Sequence, residues 1–283
     1  LFFRKSNKSF VLLTKQFKIK HPINIMKKID KFYYINLERC PERNIHFLNQ
    51  CRQNDVPFSK IQRFEAIDGK TFGFTQEMIN MFKDCDFFRT LVTYRKNGMD
   101  EKNYKLAVET SRKIMGNQLS HYLLLHDMIN NGYQYVIICQ DDANFNNNFV
   151  EYIDELMENI PENAELINIG LNKDADGSIT IPWDFKVELD SENSKEVVNN
   201  YICKLTCETN PCSLAYIVTL EGAKNLVNHF LTHGFLKAAD CNYNEYLMHK
   251  DIFYCSRKIM VTSGDFDSDI FLFSGIKEPT IPL

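Results

Sequence analysis

The sequence predicts one α/β domain, a sheet with helices packed on its faces, and three observations carry that expectation. Apolar runs of strand length alternate with segments whose apolar residues recur at three-and-four spacing, the pattern of strands joined by helices. The run Tyr135, Val136, Ile137, Ile138 and Cys139 stops abruptly at two adjacent carboxylates, Asp141 and Asp142, where an open α/β sheet presents its ligand-binding groups. A chain of 283 residues that is 44% hydrophobic is long and apolar enough for a real core.

Residues 29–37 read as the first strand, and Pro41 is placed to open a helix with Ile45, Leu48 and Cys51 on one face. Residues 56–64 return as a second strand that ends in Ala66-Ile67-Asp68-Gly69. Between 71 and 115 the pattern is irregular, with Phe72, Phe74, Phe82, Phe87 and Phe88 among charges, which predicts an inserted lid or binding loop with short helices. A helix is predicted over 116–131, since Leu119, Tyr122, Leu123, His126 and Ile129 share a face and Gly132 supplies a stop. It leads into the strand that carries the aspartates.

After them Phe149, Tyr152, Ile153, Leu156, Met157 and Ile160 predict another helix, closed by Pro161, and 165–170 returns as a strand. The polar stretch 174–195 reads as a loop, 201–205 and 214–219 as strands. Thr219 is positioned to cap a helix bearing Ala223, Leu226, Val227, Phe230 and Leu231. A last helix over 240–249 and a strand over 252–255 complete a domain spanning 29–275, with a flexible basic leader over 1–28 and a tail over 276–283. The expected sheet is mixed but mainly parallel.

The net charge of −4 conceals an asymmetry: eight basic residues and no acid precede Asp30, so the remainder carries 25 bases against 37 acids. Such a body lacks the Lys and Arg surplus of a nucleic-acid binder. The leader's only apolar core, Phe10 to Leu13, is too short to span a membrane, though it leaves peripheral membrane contact open. Nine cysteines, an odd number with no CxxC pair and several inside apolar runs, fit a reducing, cytoplasmic compartment better than a disulfide scaffold or a zinc site.

Hard divalent cations take oxygen ligands, and Mg²⁺ or Mn²⁺ is commonly held by one or two carboxylates together with substrate phosphates. Asp141 and Asp142 suit that chemistry; the alternative is an acidic pair that merely solvates a turn. Asn36, Arg39 and Arg43 lie just past the first strand, where a nucleotide meets the sheet edge. Asn36 and Arg39 are candidate contacts to base and diphosphate, and Arg43 is expected on the exposed face of the first helix. Asp68 is a candidate acceptor for base or ribose, and Gly69 permits close backbone approach; a simple Asp-Gly turn is the other reading. His121 reads as a satisfied, partly buried histidine that supports the site.

Six segments stand in order: Ile35-Asn36-Leu37-Glu38-Arg39 with Pro41-Glu42-Arg43; Arg63-Phe64-Glu65-Ala66-Ile67-Asp68-Gly69; Gly116 through Ser120-His121; Asp141-Asp142-Ala143; Ala215-Tyr216-Ile217-Val218-Thr219 with Gly222-Ala223; and Ser268-Asp269-Ile270. Together these resemble the family 25 glycosyltransferases, the group of the lipooligosaccharide galactosyltransferases of lipopolysaccharide biosynthesis and the procollagen galactosyltransferases. The resemblance implies a GT-A-like, Rossmann-like fold. It also implies inverting transfer of a sugar, typically galactose, from a UDP-sugar to a hydroxyl of a glycan or protein, with Mn²⁺ or Mg²⁺ as cofactor.

In that reading the family's acidic triplet falls on Gln140-Asp141-Asp142. Asp142 would ligate the metal, and Asp141 would ligate it, hold a metal-bound water or orient the site. Asp240 would be the catalytic base, with Asp269 its rival or a further metal or acceptor contact. The chain departs from the family at Gln140, where Glu is usual; an amide accepts a hydrogen bond but adds no charge toward a cation. Weakened metal affinity and a non-catalytic carbohydrate- or partner-binding relative are both compatible with that change.

Overall fold

The computed structural model describes residues 26–171, 195–205 and 213–266. In chain order the elements are β1 (Lys31–Asn36), α1 (Pro41–Gln53), β2 (Ile61–Glu65), α2 (Gln76–Met81), α3 (Asp86–Lys96), α4 (Glu101–Asn131), β3 (Tyr135–Gln140), β4 (Ala143–Phe145) and α5 (Phe149–Glu158). They continue with β5 (Leu166–Asn168), β6 (Gly170–Leu171), β7 (Lys195–Val197), β8 (Ile202–Leu205), β9 (Ala215–Thr219), α6 (Leu220–His233), α7 (Ala239–His249), β10 (Tyr254–Ser256) and β11 (Val261–Ser263).

Eight strands form one sheet in the order β2-β1-β3-β9-β5-β10-β8-β7, and three form a second, β4-β11-β6. The large sheet is mixed: β2, β1 and β3 are parallel, but β9 runs antiparallel between β3 and β5. Parallel pairing therefore does not dominate as the alternation of elements suggested. The reversal left no mark in the sequence because β9, like β3, is buried along nearly its whole length, and a strand covered on both faces reads as an unbroken apolar run whatever its direction.

Alternation along β1 sends its side chains to two helical layers. Phe32 meets Phe47 of α1, Phe145 of β4 and Phe149 of α5 at ring-centroid distances of 5.8, 5.7 and 6.0 Å, and Tyr34 stacks on Phe47 at 4.3 Å. Tyr33, on the other face, hydrogen-bonds Asp127 of α4. On that side α4 packs against α3, α6 and α7. Helix α1 begins with Pro at its first position, as expected, but it buries Phe47 and Cys51, while Ile45 is exposed. Thr219 caps α6 by accepting the Gly222 N–H at 2.9 Å.

Helix α4 is twice the length predicted: its first half, residues 101–115, lies in the stretch read as an irregular insertion. Asp100 caps it by accepting the Asn103 N–H at 3.0 Å, and Gly132 ends it in the left-handed conformation at φ 69°. The misreading has a physical cause: Thr110, Ser111, Lys113 and Gln118 are buried polar residues, so the buried stripe is not apolar along that stretch.

Two glycines set how closely α4 approaches the loop after β2. A Cβ on Gly69 would stand 2.0 Å from the Arg112 carbonyl oxygen, and one on Gly116 2.4 Å from that of Ile67. Ser120 seals the contact, its hydroxyl accepting the Ile67 N–H at 2.8 Å and donating to the Gly116 carbonyl at 2.7 Å. Replacement of Gly116 by Ala is expected to cost about 1–3 kcal/mol, since backbone must move to admit the methyl group. Gly73→Ala, with open space at that position, is expected to stay within about 0.5 kcal/mol of wild type. Urea denaturation of both variants checks the contrast.

Candidate active site

The C-terminal ends of β1, β2 and β3 share one edge of the sheet, because the three strands are parallel and in register. Asn36, Ala66 and Gln140 leave the sheet there. Chain direction changes at once after β3: Asp141 and Asp142 form the turn into β4, which belongs to the second sheet. The Asp142 carbonyl accepts the Gly264 N–H at 2.6 Å, just past β11, so the corner is clamped from the far sheet.

The two carboxylates part company at this corner. Asp141 is 5% exposed; its Oδ2 accepts from Asn36 Nδ2 at 2.6 Å and its Oδ1 pairs with Arg43 Nη1 at 3.3 Å. Asn36, buried at the end of β1, also donates to the Cys40 carbonyl at 3.0 Å and accepts from Arg63 Nε at 2.8 Å. A buried carboxylate held this way has its charge compensated and fixes the geometry of its neighbours. Arg43 is thus nearly buried against Asp141 rather than displayed on the outer face of α1 as the sequence suggested.

A cleft open to solvent lies over this edge. Its walls come from Leu37, Arg39 and Arg43 after β1, from Ala66 to Gly69 after β2, from Lys113, Asn117 and Ser120 of α4, and from Gln140, Asp141 and Asp142 after β3. Of the predicted cofactor contacts, Arg39, Asp68, Gly69, Gln140, Asp141 and Asp142 all line it, whereas Asn36 lies beneath it, holding Asp141. Arg39 Nε and Asp68 Oδ2 pair at 2.6 Å across the mouth, and Asp68 Oδ1 also accepts the Lys70 N–H at 3.0 Å. Gly69 does allow a close backbone approach, that of helix α4.

Gln140 donates from Nε2 to Ser213 Oγ at 3.0 Å, which ties the strand end to the start of β9. A glutamate there would preserve the contact with its polarity reversed, because a serine hydroxyl both donates and accepts. His121 is fully rather than partly buried, and its Nδ1 lies 2.7 Å from the Tyr216 hydroxyl. Its buried Nε2 has no hydrogen-bond partner among the described residues, so the ring is not fully satisfied as expected; burial pushes its pKa down to about 3, which makes it a neutral core group.

Asp240 sits in the first turn of α7, two residues past the cap position, where its Oδ1 accepts the Cys241 N–H at 2.9 Å. Burial raises its pKa above the ordinary carboxylate value. It is not among the residues that line the cleft. Asp269, with the rest of Ser268-Asp269-Ile270, lies outside the described residues, as do the loop over 174–194 and Cys207 and Cys212.

Sequence reading missed Arg43 as a partner of Asp141, and it missed Lys113 and Asn117 altogether. Helical spacing was the available signal: Lys113, Asn117 and Ser120 stand at i, i+4 and i+7 once α4 is extended toward its N-terminus. Among the described residues no group of three or more His, Cys, Asp or Glu is placed to hold a metal ion, and no helix is long and apolar enough to cross a membrane.

This architecture, a mixed sheet flanked by helices with acidic and basic groups gathered at the ends of its parallel strands, defines an α/β protein with a solvent-open cleft at that edge. The family model of glycosyltransferase family 25 (LPS biosynthesis protein) matches residues 29–241, and the chain belongs to that family. It is 23% identical over 243 residues to human procollagen galactosyltransferase 2 and 22% identical to the mouse protein. Each match covers 79% of this chain and 33% of the relative, so the chain spans a third of the length of these relatives. Among solved structures, apo mouse xyloside xylosyltransferase 1 aligns over 78% of this chain and 69% of its own, at 11% identity and a TM-score of 0.31.

Loss of one partner from a buried ion pair leaves the other charge without compensation. Arg43→Met is therefore expected to destabilise the fold by about 3 kcal/mol, and Arg43→Met with Asp141→Asn by clearly less than the sum of the single changes. A double-mutant cycle by chemical denaturation measures this.

Proposed function

We propose that this chain transfers a sugar, galactose in the first instance, from a UDP-sugar to a hydroxyl of a glycan or of a glycosylated or hydroxylated protein, on a GT-A-like frame with Mn²⁺ or Mg²⁺. The observation that carries the reading is that Asp142, whose Oδ1 is buried, joins Arg39, Arg43 and Lys113 among the residues lining one cleft. Oxygen donors with no histidine or cysteine in the described lining fit a hard cation rather than zinc. Family membership and the galactosyltransferase relatives support the donor class.

Asp142 is the residue assigned to the cation, with Asp141 as the adjoining group that fixes the corner from which Asp142 projects. When bound, the cation supplies positive charge against the diphosphate as the glycosidic bond weakens. Arg39 and Gln140 are assigned to ribose and diphosphate contacts, and Asp68 to an acceptor contact with base or ribose. Leaving-group stabilisation of this kind lowers the barrier because the negative charge grows toward the transition state.

For inversion at the anomeric carbon, a carboxylate on the acceptor side takes the hydroxyl proton as that oxygen attacks, and Asp240 is assigned the role. A carboxyl whose pKa is raised by burial is a better proton acceptor than an exposed one. Asp269 remains its rival, or a further contact to acceptor or metal.

Gln140 supports a second reading, a relative that binds carbohydrate or a partner without turnover. Its hydrogen bond to Ser213 is compatible with either residue at the position. Gln140→Glu separates the two: transfer seen only in that variant identifies the wild type as degenerate.

Purified protein incubated with UDP-galactose and Mn²⁺ is expected to release UDP slowly even without an acceptor. Asp142→Ala should abolish the Mn²⁺-dependent part, and an unchanged rate in that variant removes Asp142 from its role. Once an acceptor is found, Asp240→Asn is expected to lower kcat by about 10²–10⁴-fold with little change in KM for the donor. An unaltered kcat would transfer the base to another group.

A further inference from the structure

Three cationic side chains line the cleft, and their protein partners differ. Arg39 is paired with Asp68 and Arg43 with Asp141, both carboxylates of the cleft wall itself. Lys113 is 6% exposed, yet its ammonium pairs at 3.2 Å with Glu109, a residue 45% exposed that is not part of the cleft lining. Burial of a lysine is costly unless an anion compensates it, and a half-solvated carboxylate one helical turn away does so only weakly.

The position of Lys113 is imposed by the glycine contact described above. A Cβ on Gly69 would lie 2.7 Å from the Lys113 Cα, so the loop after β2 rests directly on this turn of α4. Arg112, the preceding residue, locks the same loop by donating to the carbonyls of Gly69 at 3.0 Å and Phe72 at 2.7 Å. Lys113 is thereby held on α4 in the lining of the same cleft as Asp68 and Asp142. The flexible stem of a lysine swings a compact charge between two anions without moving the backbone.

We propose that Lys113 is a binding residue for the diphosphate of the nucleotide sugar, its ammonium exchanging Glu109 for phosphate oxygens when the donor enters. This rests on the nucleotide-sugar reading and adds to it a specific source of diphosphate selectivity. Lysine serves as a point-charge phosphate ligand whose contribution scales with the charge of the ligand. The nucleoside part of the donor, held by other residues, does not feel it.

The test is calorimetric titration with uridine, UMP and UDP in Mn²⁺ buffer, on wild type, Lys113→Gln, Lys113→Arg and Glu109→Gln, with thermal unfolding to confirm that each variant is folded. Lys113→Gln is expected to weaken UDP about 10- to 100-fold while uridine binding stays within about twofold, the loss being that of one charge-assisted contact. Lys113→Arg should recover part of the UDP affinity, and Glu109→Gln should leave it equal or tighter. A folded Lys113→Gln that keeps the wild-type preference for UDP over uridine overturns the assignment, as does equal weakening of both ligands. Wild-type protein that makes no distinction between uridine and UDP would instead overturn the nucleotide-sugar reading itself.

Discussion

The hydrogen-bonded ion pair that joins Asn36, Arg43 and Asp141 is the constraint on which the rest of the site depends. It ties three elements distant in sequence, the end of β1, the first turn of α1 and the end of β3, at one buried point. With Asp141 held there, the chain turns sharply into the second sheet, and Asp142 is left at the corner facing the cleft. In the reading proposed above, Arg43 and Asn36 hold Asp141 as a support for the corner, and Asp142 is the carboxylate assigned to the cation.

A second constraint forms the opposite wall. The contact of Gly69 with Gly116 brings α4 to backbone distance from the loop after β2, so that polar residues of a buried helix open onto the cleft. Basic groups from α4 and the β1 loop then face the acidic corner. The cleft lining balances three cations, Arg39, Arg43 and Lys113, against three carboxylates, Asp68, Asp141 and Asp142.

Much of this was legible in the sequence, for identifiable reasons. The strand ending at Asp141 and Asp142 was readable because a short apolar run stopping at charge has few alternatives, and the caps at Thr219 and Gly132 because their chemistry is local. The N-terminal half of α4 was hidden by buried polar residues, Thr110, Ser111 and Lys113, which interrupt its apolar stripe. Strand direction at β9 was hidden because burial on both faces erases the distinction. The pairing of Arg43 with Asp141 joins residues 98 apart, and no local pattern announces such a contact. Family resemblance supplied the order of the motifs but not the division of labour between the two aspartates.

That division is the central claim, and electron paramagnetic resonance of Mn²⁺ in the presence of UDP tests it most directly. Titration of wild type, Asp141→Asn and Asp142→Asn, each verified as folded, reads the protein-bound Mn²⁺ in each. The account predicts that Asp142→Asn abolishes UDP-dependent Mn²⁺ retention while Asp141→Asn keeps it. Retention by Asp142→Asn together with its loss in Asp141→Asn would contradict it.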